Sequence, residues 1–288
     1  MGNSEYSLSS RSLRTADYKA KTVTENFTQS KVRMIHESMD PKGAKLREAR
    51  DSVTHPNTVP IILALDLTGS MGAIPQHLVQ EGLPKMMAGI IQHGIPDPAL
   101  LFMGVGDTSC DRFPLQVGQF ESGDLELDTW LTRTYLEGGG GGNEGESYLL
   151  AWFYAALHTV TDAWEKRKQK GFLFTCGDEP SLSTLPARVI GELMGEGQQK
   201  SYTDKELLDL AREKWIVKHL HITQTSAGGR SAGYWQQLLG EDCIMVRDFK
   251  DVAMIIANTV TTNAPQSSPI NGGGEGEKTE KPSEEIYL

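Results

Sequence analysis

The chain has 288 residues, 38% of them hydrophobic, which is enough for one substantial core with polar ends. Lys and Arg total 28 against 38 Asp and Glu, an acidic balance that disfavours a nucleic-acid partner held through phosphate charge. Cys110, Cys176 and Cys243 lie far apart with no CxxC pair, so neither a disulfide framework nor a zinc site is suggested. No run approaches the roughly 18 apolar residues of a membrane span, and no signal-peptide pattern opens the chain, so the reading is cytoplasmic.

The first 50 residues are polar and carry ten Lys or Arg against six Asp or Glu, which leaves a net of −14 on the rest. Residues 1–56 read as a basic, partly irregular arm, with its only helical candidate at 42–51, and such an arm could fold back on the acidic body. Residues 59–65, Val-Pro-Ile-Ile-Leu-Ala-Leu, are too short for a typical helix and too continuous for a half-exposed strand, so they predict a buried parallel strand. Val79, Leu83, Met86, Met87 and Ile90 share one helical face, with Pro84 expected to break or kink it. Residues 99–105 predict another buried strand, 115–120 a short edge strand, and 124–136 a helix followed by the glycine run 138–142.

Residues 147–164 are apolar almost all round, as in a central helix covered on several sides. A strand is expected at 171–176, ending at Gly177-Asp178-Glu179-Pro180. Thr203 and Glu206 form a capping box for a helix at 204–214. Strand, helix, strand and helix then follow at 215–223, 234–239, 243–247 and 252–260. Alternation of this kind predicts an α/β domain over residues 57–262, doubly wound, with a mostly parallel sheet, helices on both faces, and ligands bound beyond the carboxyl ends of the strands. Residues 263–288, rich in Pro, Ser, Gly and Glu, read as a disordered acidic tail.

Directly after the first buried strand stands Asp66-Leu67-Thr68-Gly69-Ser70, a carboxylate and two hydroxyls at alternate positions. Hard cations such as magnesium take oxygen ligands of this kind. The motif resembles the metal-ion-dependent adhesion site of the von Willebrand factor type A family, which opens with D-x-S-x-S, and Thr in place of the first Ser keeps the hydroxyl. Asp178 fits the family's further carboxylate at the end of the fourth strand. The resemblance implies that Thr68 and Ser70 bind Mg2+ or Mn2+ directly, with Asp66 and Asp178 acting through water. In the middle loop, where many members place a metal-binding Thr, this chain has Gly141-Gly142-Asn143-Glu144-Gly145-Glu146, similar to a G-G-G-D-x-P-E branch; Glu146 is the first candidate for the third ligand and Asn143 the second.

What the resemblance implies is a binding module rather than an enzyme, with an open metal position that captures an acidic side chain of a protein partner. Intracellular relatives often work beside AAA+ ATPases of the MoxR kind, which suggests that partner class. The rival is an aspartyl-nucleophile phosphoryl-transfer enzyme of the haloacid-dehalogenase kind, since Asp66-Leu67-Thr68-Gly69-Ser70 also resembles D-x-T-G-T. Thr68, however, stands where simple phosphatases of that group carry a second Asp. His219 and His221 share one face of a strand but read as structural, Cys176 as a small buried hydrophobe, and Trp152, Phe153 and Tyr154 as core.

Overall fold

The computed structural model describes residues 4–137, 145–195, 197 and 200–264, with the Ser70 side chain outside the description. The glycine run, Asn143 and the expected tail beyond Ala264 also lie outside it. Six strands form the central sheet: β1 (Val59–Asp66), β2 (Pro98–Val105), β3 (Leu115–Val117), β4 (Gly171–Gly177), β5 (Trp215–Ile222) and β6 (Cys243–Val246). Their spatial order is β6-β5-β4-β1-β2-β3, and every pair is parallel except β2 with the edge strand β3. Around the sheet lie α1 (Leu8–Ala20), α2 (Leu83–Gln92), α3 (Asp124–Thr132), α4 (Leu149–Leu157), α5 (Asp162–Arg167), α6 (Ala187–Met194), α7 (Asp204–Lys214), α8 (Ser226–Leu239) and α9 (Val252–Asn263).

Successive residues of a strand point to opposite faces, and β1 uses both for burial. Ile61, Leu63 and Leu65 pack with Met86, Met87, Ile256 and Val260 from α2 and α9. Ile62 and Ala64 pack on the other side with Trp152, Leu207, Ala211 and Trp235 from α4, α7 and α8. A strand covered twice needs apolar side chains at consecutive positions, which is why its sequence shows no alternation. Among the described residues no helix is long and apolar enough to cross a membrane.

The N-terminal arm, expected to be partly irregular with one helical candidate at 42–51, carries its longest helix elsewhere, at Leu8–Ala20. Ser7 caps α1 by accepting from Ser10 N at 3.2 Å, and Arg11 is fully buried with its Nε 2.8 Å from Asp128 on α3. Arg11 Nη2 also donates to the Val79 carbonyl. Arg14 donates to Asp128 at 2.9 Å and Asp124 at 2.6 Å, so the basic arm does fold back on acidic residues of the body. These ion pairs stabilise a helix whose own apolar periodicity is weak. Nor are residues 42–51 helical: Arg47–Ala49 forms a short strand paired in parallel with Thr159–Thr161.

That pairing also divides the helix expected over 147–164. The β-branched run Thr159-Val160-Thr161 takes extended backbone, and Thr161 restarts the chain as N-cap of α5, accepting from Trp164 N at 3.2 Å. At Pro84 the helix does not stop. A π-helical turn, Leu78–Gly82, runs directly into α2, so the ladder has already shifted to bonds reaching five residues back, Leu83 N–H donating to the Leu78 carbonyl, where Pro84 lacks its N–H. The helix expected at 234–239 begins earlier, at Ser226, because Thr225 caps it by accepting from Gly228 N at 3.0 Å.

The arm's attachment can be measured. Arg11→Ala leaves Asp128 buried with only Arg14 as a cation and is expected to cost about 3 kcal/mol in a denaturant melt. Lys21→Ala, which removes an exposed pair with Asp17, is expected to stay within about 0.5 kcal/mol. A loss below about 1 kcal/mol for Arg11→Ala would show that the buried pair does not hold the arm.

Candidate metal centre

The strand order reverses at β1: the chain moves from β1 to β2 on one side and later to β4 on the other. A crevice opens between parallel strands at such a switch point, beyond their carboxyl ends. Asp66 is the last residue of β1 and Asp178 directly follows β4; both are buried. Leu65 lies opposite Cys176 in the ladder, which brings the two aspartates to the same end of adjacent strands. A side chain at Gly177 would come within 2.9 Å of the Asp66 Cβ and would also overlap Tyr148 Oη, so only glycine permits this approach.

Asp66 is held by three donors. Thr68 gives its N–H at 2.8 Å and its hydroxyl at 2.6 Å to Oδ1, and Tyr148 gives its phenol at 3.0 Å to Oδ2. The chain then turns through the 3-10 segment Gly69–Met71, which contains the Ser70 backbone. Asp178 is placed from behind by α8: Ser231 Oγ donates to the Asp178 carbonyl at 2.9 Å, and Trp235 Nε1 to the Glu179 carbonyl at 2.9 Å.

Glu146 reaches the same region from a third segment. Its N–H donates to the Pro180 carbonyl at 2.8 Å, and its carbonyl accepts from Leu182 N at 3.0 Å. Gly145 takes φ 124°, and a Cβ there would sit 2.5 Å from the Pro180 oxygen, so this junction requires glycine. Next along, Ser147 N donates to the Gly106 carbonyl at 3.0 Å and Ser147 Oγ accepts from Thr108 N at 2.9 Å. The loops after β2 and β4 are thereby fastened to the start of α4.

The electrostatics of this seam are unfavourable to negative charge. Burial drives the Asp66 carboxyl well above the usual range and the Asp178 charge adds to it, against the hydrogen bonds from Thr68 and Tyr148. Glu146 is driven up more strongly, by burial first and then by the charges of Asp66, Asp111, Asp107 and Glu179. Its Oε2 is buried without a hydrogen-bond partner. Such a group costs free energy unless it is protonated or meets a cation.

Of the residues singled out from sequence, Asp66, Thr68, Asp178 and Glu146 are therefore brought to one seam. The Ser70 side chain and Asn143 lie outside the described residues. Among the described residues no three or more His, Cys, Asp and Glu side chains form a metal-holding group by themselves. Sequence reading missed Tyr148, Ser147, Ser231 and Trp235, because nothing local marks contacts that span 39 to 82 residues. His219 is fully buried against Trp235, ring centroids 3.5 Å apart, with Nδ1 2.8 Å from Thr175 Oγ1, and His221 Nε2 donates to the Gly228 carbonyl at 2.8 Å. Cys176 is buried on the opposite face of the sheet, where burial pushes its thiol up.

No protein family and no curated protein matches the chain. Among solved structures it is similar to the pilus adhesin SpaC from Lactobacillus rhamnosus GG, in an open conformation with TM-score 0.49 and in a second form with TM-score 0.51, at 10% identity in both. Those likenesses cover 75% of this chain and 31% of the adhesin. It is also similar to proximal thread matrix protein 1 from the mussel byssus, with TM-score 0.47 and 9% identity over 70% of this chain and 47% of that protein. The chain thus spans less than half the length of these proteins, and the likeness at TM-score 0.51 speaks for fold alone.

A pH dependence follows from the two raised carboxyls. The folded protein binds protons at Asp66 and Glu146 that the unfolded chain, titrating near ~4, has released. That contribution is fully present below the unfolded value and is lost as pH rises through the folded values. In chelator, denaturant melts are therefore expected to show stability falling between about pH 5 and 8, with a shallower fall in Glu146→Gln. An equal slope in the variant would remove Glu146 from the account.

Proposed function

We propose that this chain is a von Willebrand factor type A-like, doubly wound domain that binds one Mg2+ or Mn2+ and uses it to hold an acidic side chain of a protein partner. The observation that carries the reading is the Glu146 carboxyl: buried, unpartnered at Oε2 and facing the charge of Asp66 from a separate loop. Carboxylates converging with hydroxyls form an oxygen donor set that suits a hard divalent cation. Thr68 and Ser70 would supply hydroxyl oxygens, Asp66 and Asp178 carboxylates, and Glu146 or Asn143 the middle-loop donor. Bound there, the ion supplies a Lewis-acid position for an incoming carboxylate.

The protein's own residues prepare that position. Thr68 N–H and Tyr148 Oη fix the orientation of Asp66, and α8 fixes the backbone of Asp178 and Glu179. With neutral hydroxyls as direct ligands, the cation keeps attraction for a partner's Asp or Glu. No catalytic role is assigned to these residues. Free cysteines, one of them exposed, suit a reducing cytoplasm. On the family resemblance, an AAA+ ATPase of the MoxR kind is the partner class to test first, with neither nucleic acid nor membrane as a partner.

Magnesium at 100 times its dissociation constant is expected to stabilise the protein by about 2.7 kcal/mol, and chelator to remove the gain. Thr68→Ala and Asp66→Ala should each lose most of it. An equal melting shift in Asp66→Ala would sink the site. So would an acid-stable, hydroxylamine-sensitive phosphoprotein formed by the wild type and not by Asp66→Asn, since that would make Asp66 a nucleophile.

A further inference from the structure

Beside the Thr68 turn runs a groove of about 680 Å³. Its lining includes Leu67, Thr68, Val23, Leu136, Phe249 and Lys250. The volume falls in the range of roughly 300–1,000 Å³ that holds a drug-sized ligand, so it has room for a short run of peptide with at least one large side chain. The walls are built: Ser30 Oγ accepts from Leu136 N at 3.1 Å, Phe249 N donates to Gln224 Oε1 at 2.9 Å, and the Phe249 ring meets the His77 ring edge-on at 5.8 Å. Among the described residues, none that lines the groove is Asp or Glu, although the whole chain carries a net charge of −10. Of the lining residues, Lys250 is exposed and Val23 is 39% exposed.

We infer that this groove docks the partner segment whose carboxylate the metal captures, and that the segment carries a large apolar side chain one or two residues from its Asp or Glu. The inference rests on the metal-dependent capture proposed above and adds the partner's second requirement. Two features choose this occupant. Thr68 belongs both to the proposed site and to the lining of the groove, and successive Cα atoms of a peptide lie 3.8 Å apart, so a residue one or two places from the captured acid is within reach of the groove. The groove is also the acid-free, lysine-edged part of an acidic molecule, which favours an acidic segment and disfavours a basic one. The arm thereby gains a role: its Val23, Thr24 and Ser30 form part of the lining that reads the apolar side chain.

The test uses full-length protein and synthetic hexapeptides carrying one Glu, with Leu, Phe, Ser or Lys at the positions one and two residues away, titrated by fluorescence anisotropy in millimolar magnesium. Leu and Phe peptides are expected to bind at least about tenfold tighter than Ser peptides, and Lys peptides weakest, since burying one such side chain is worth a factor of that order. Val23→Asp, at the exposed first position of a helical turn, should abolish the Leu-over-Ser preference. Lys250→Glu, also exposed, should weaken every Glu peptide. Equal affinities for Leu and Ser peptides overturn the groove while leaving the metal reading intact, provided binding still needs magnesium. Apolar preference that persists unchanged in chelator keeps the groove and sinks the metal reading. No binding at millimolar peptide overturns the docking inference, and the melting shift with magnesium then decides the metal separately.

Discussion

Strand β1 has no face toward water. Helices cover it on both sides and strands flank it on both edges, so the charge of Asp66 at its carboxyl end is carried into the interior together with the strand. Much of the surrounding arrangement compensates for that one placement. Thr68 and Tyr148 donate to the carboxylate, and Gly177 leaves room for both Asp66 and the phenol. Asp178 on the neighbouring strand and Glu146 on the stitched loop work in the opposite direction, adding like charge to a site already short of water. A protein under selection for stability alone would place apolar groups here, since a buried charge cluster is weak evidence of stabilisation.

Where side chains obey a short period, the sequence was sufficient. The apolar run of β1, the capping box of Thr203 and Glu206, and the order of the central strands from residue 57 onward are local signals that appear in the fold within a few residues, whereas the helix Ala187–Met194 is not among the expected elements. Asp66, Thr68 and Asp178 could be located because they sit at the ends of such elements. Tyr148 could not, because its function in the site is set by a carboxylate 82 residues away. Helix α1 escaped for the same reason: the cause of Arg11 lies at Asp128, on an element whose own sequence gives no hint of a partner. The split of the segment after Ser147 turned on Arg47–Ala49, a three-residue strand too short to announce itself and sufficient to pull Thr159–Thr161 into extended form.

The arm and the seam are physically joined. From α1 the chain passes through Asn26, whose Nδ2 donates to the Tyr18 carbonyl at 2.9 Å and to Gln76 at 3.3 Å, and reaches Ser30 beside Leu136. The basic segment is therefore structural at one end and faces the crevice region at the other. Its net positive charge, which from composition suggested only an attraction to the acidic body, includes one buried arginine, Arg11, and one half-buried, Arg14, with named partners.

The Arg14 to Asp128 pair also sets an order of events during synthesis. The arginine leaves the ribosome first, but its aspartate follows 114 residues later, which at about 5–20 residues per second is a delay of roughly 6 to 23 s. During that interval α1 can already meet the turn Leu78–Gly82, where Val79 accepts from Arg11 and Glu81 pairs with Lys19 at 2.8 Å, but its arginines lack their aspartates, and β1 and β2, once made, wait for β4 to complete the middle of the sheet. The arginine ion pairs that fix the arm to the body therefore close only after α3 has emerged, while β1 still lacks its second neighbour β4.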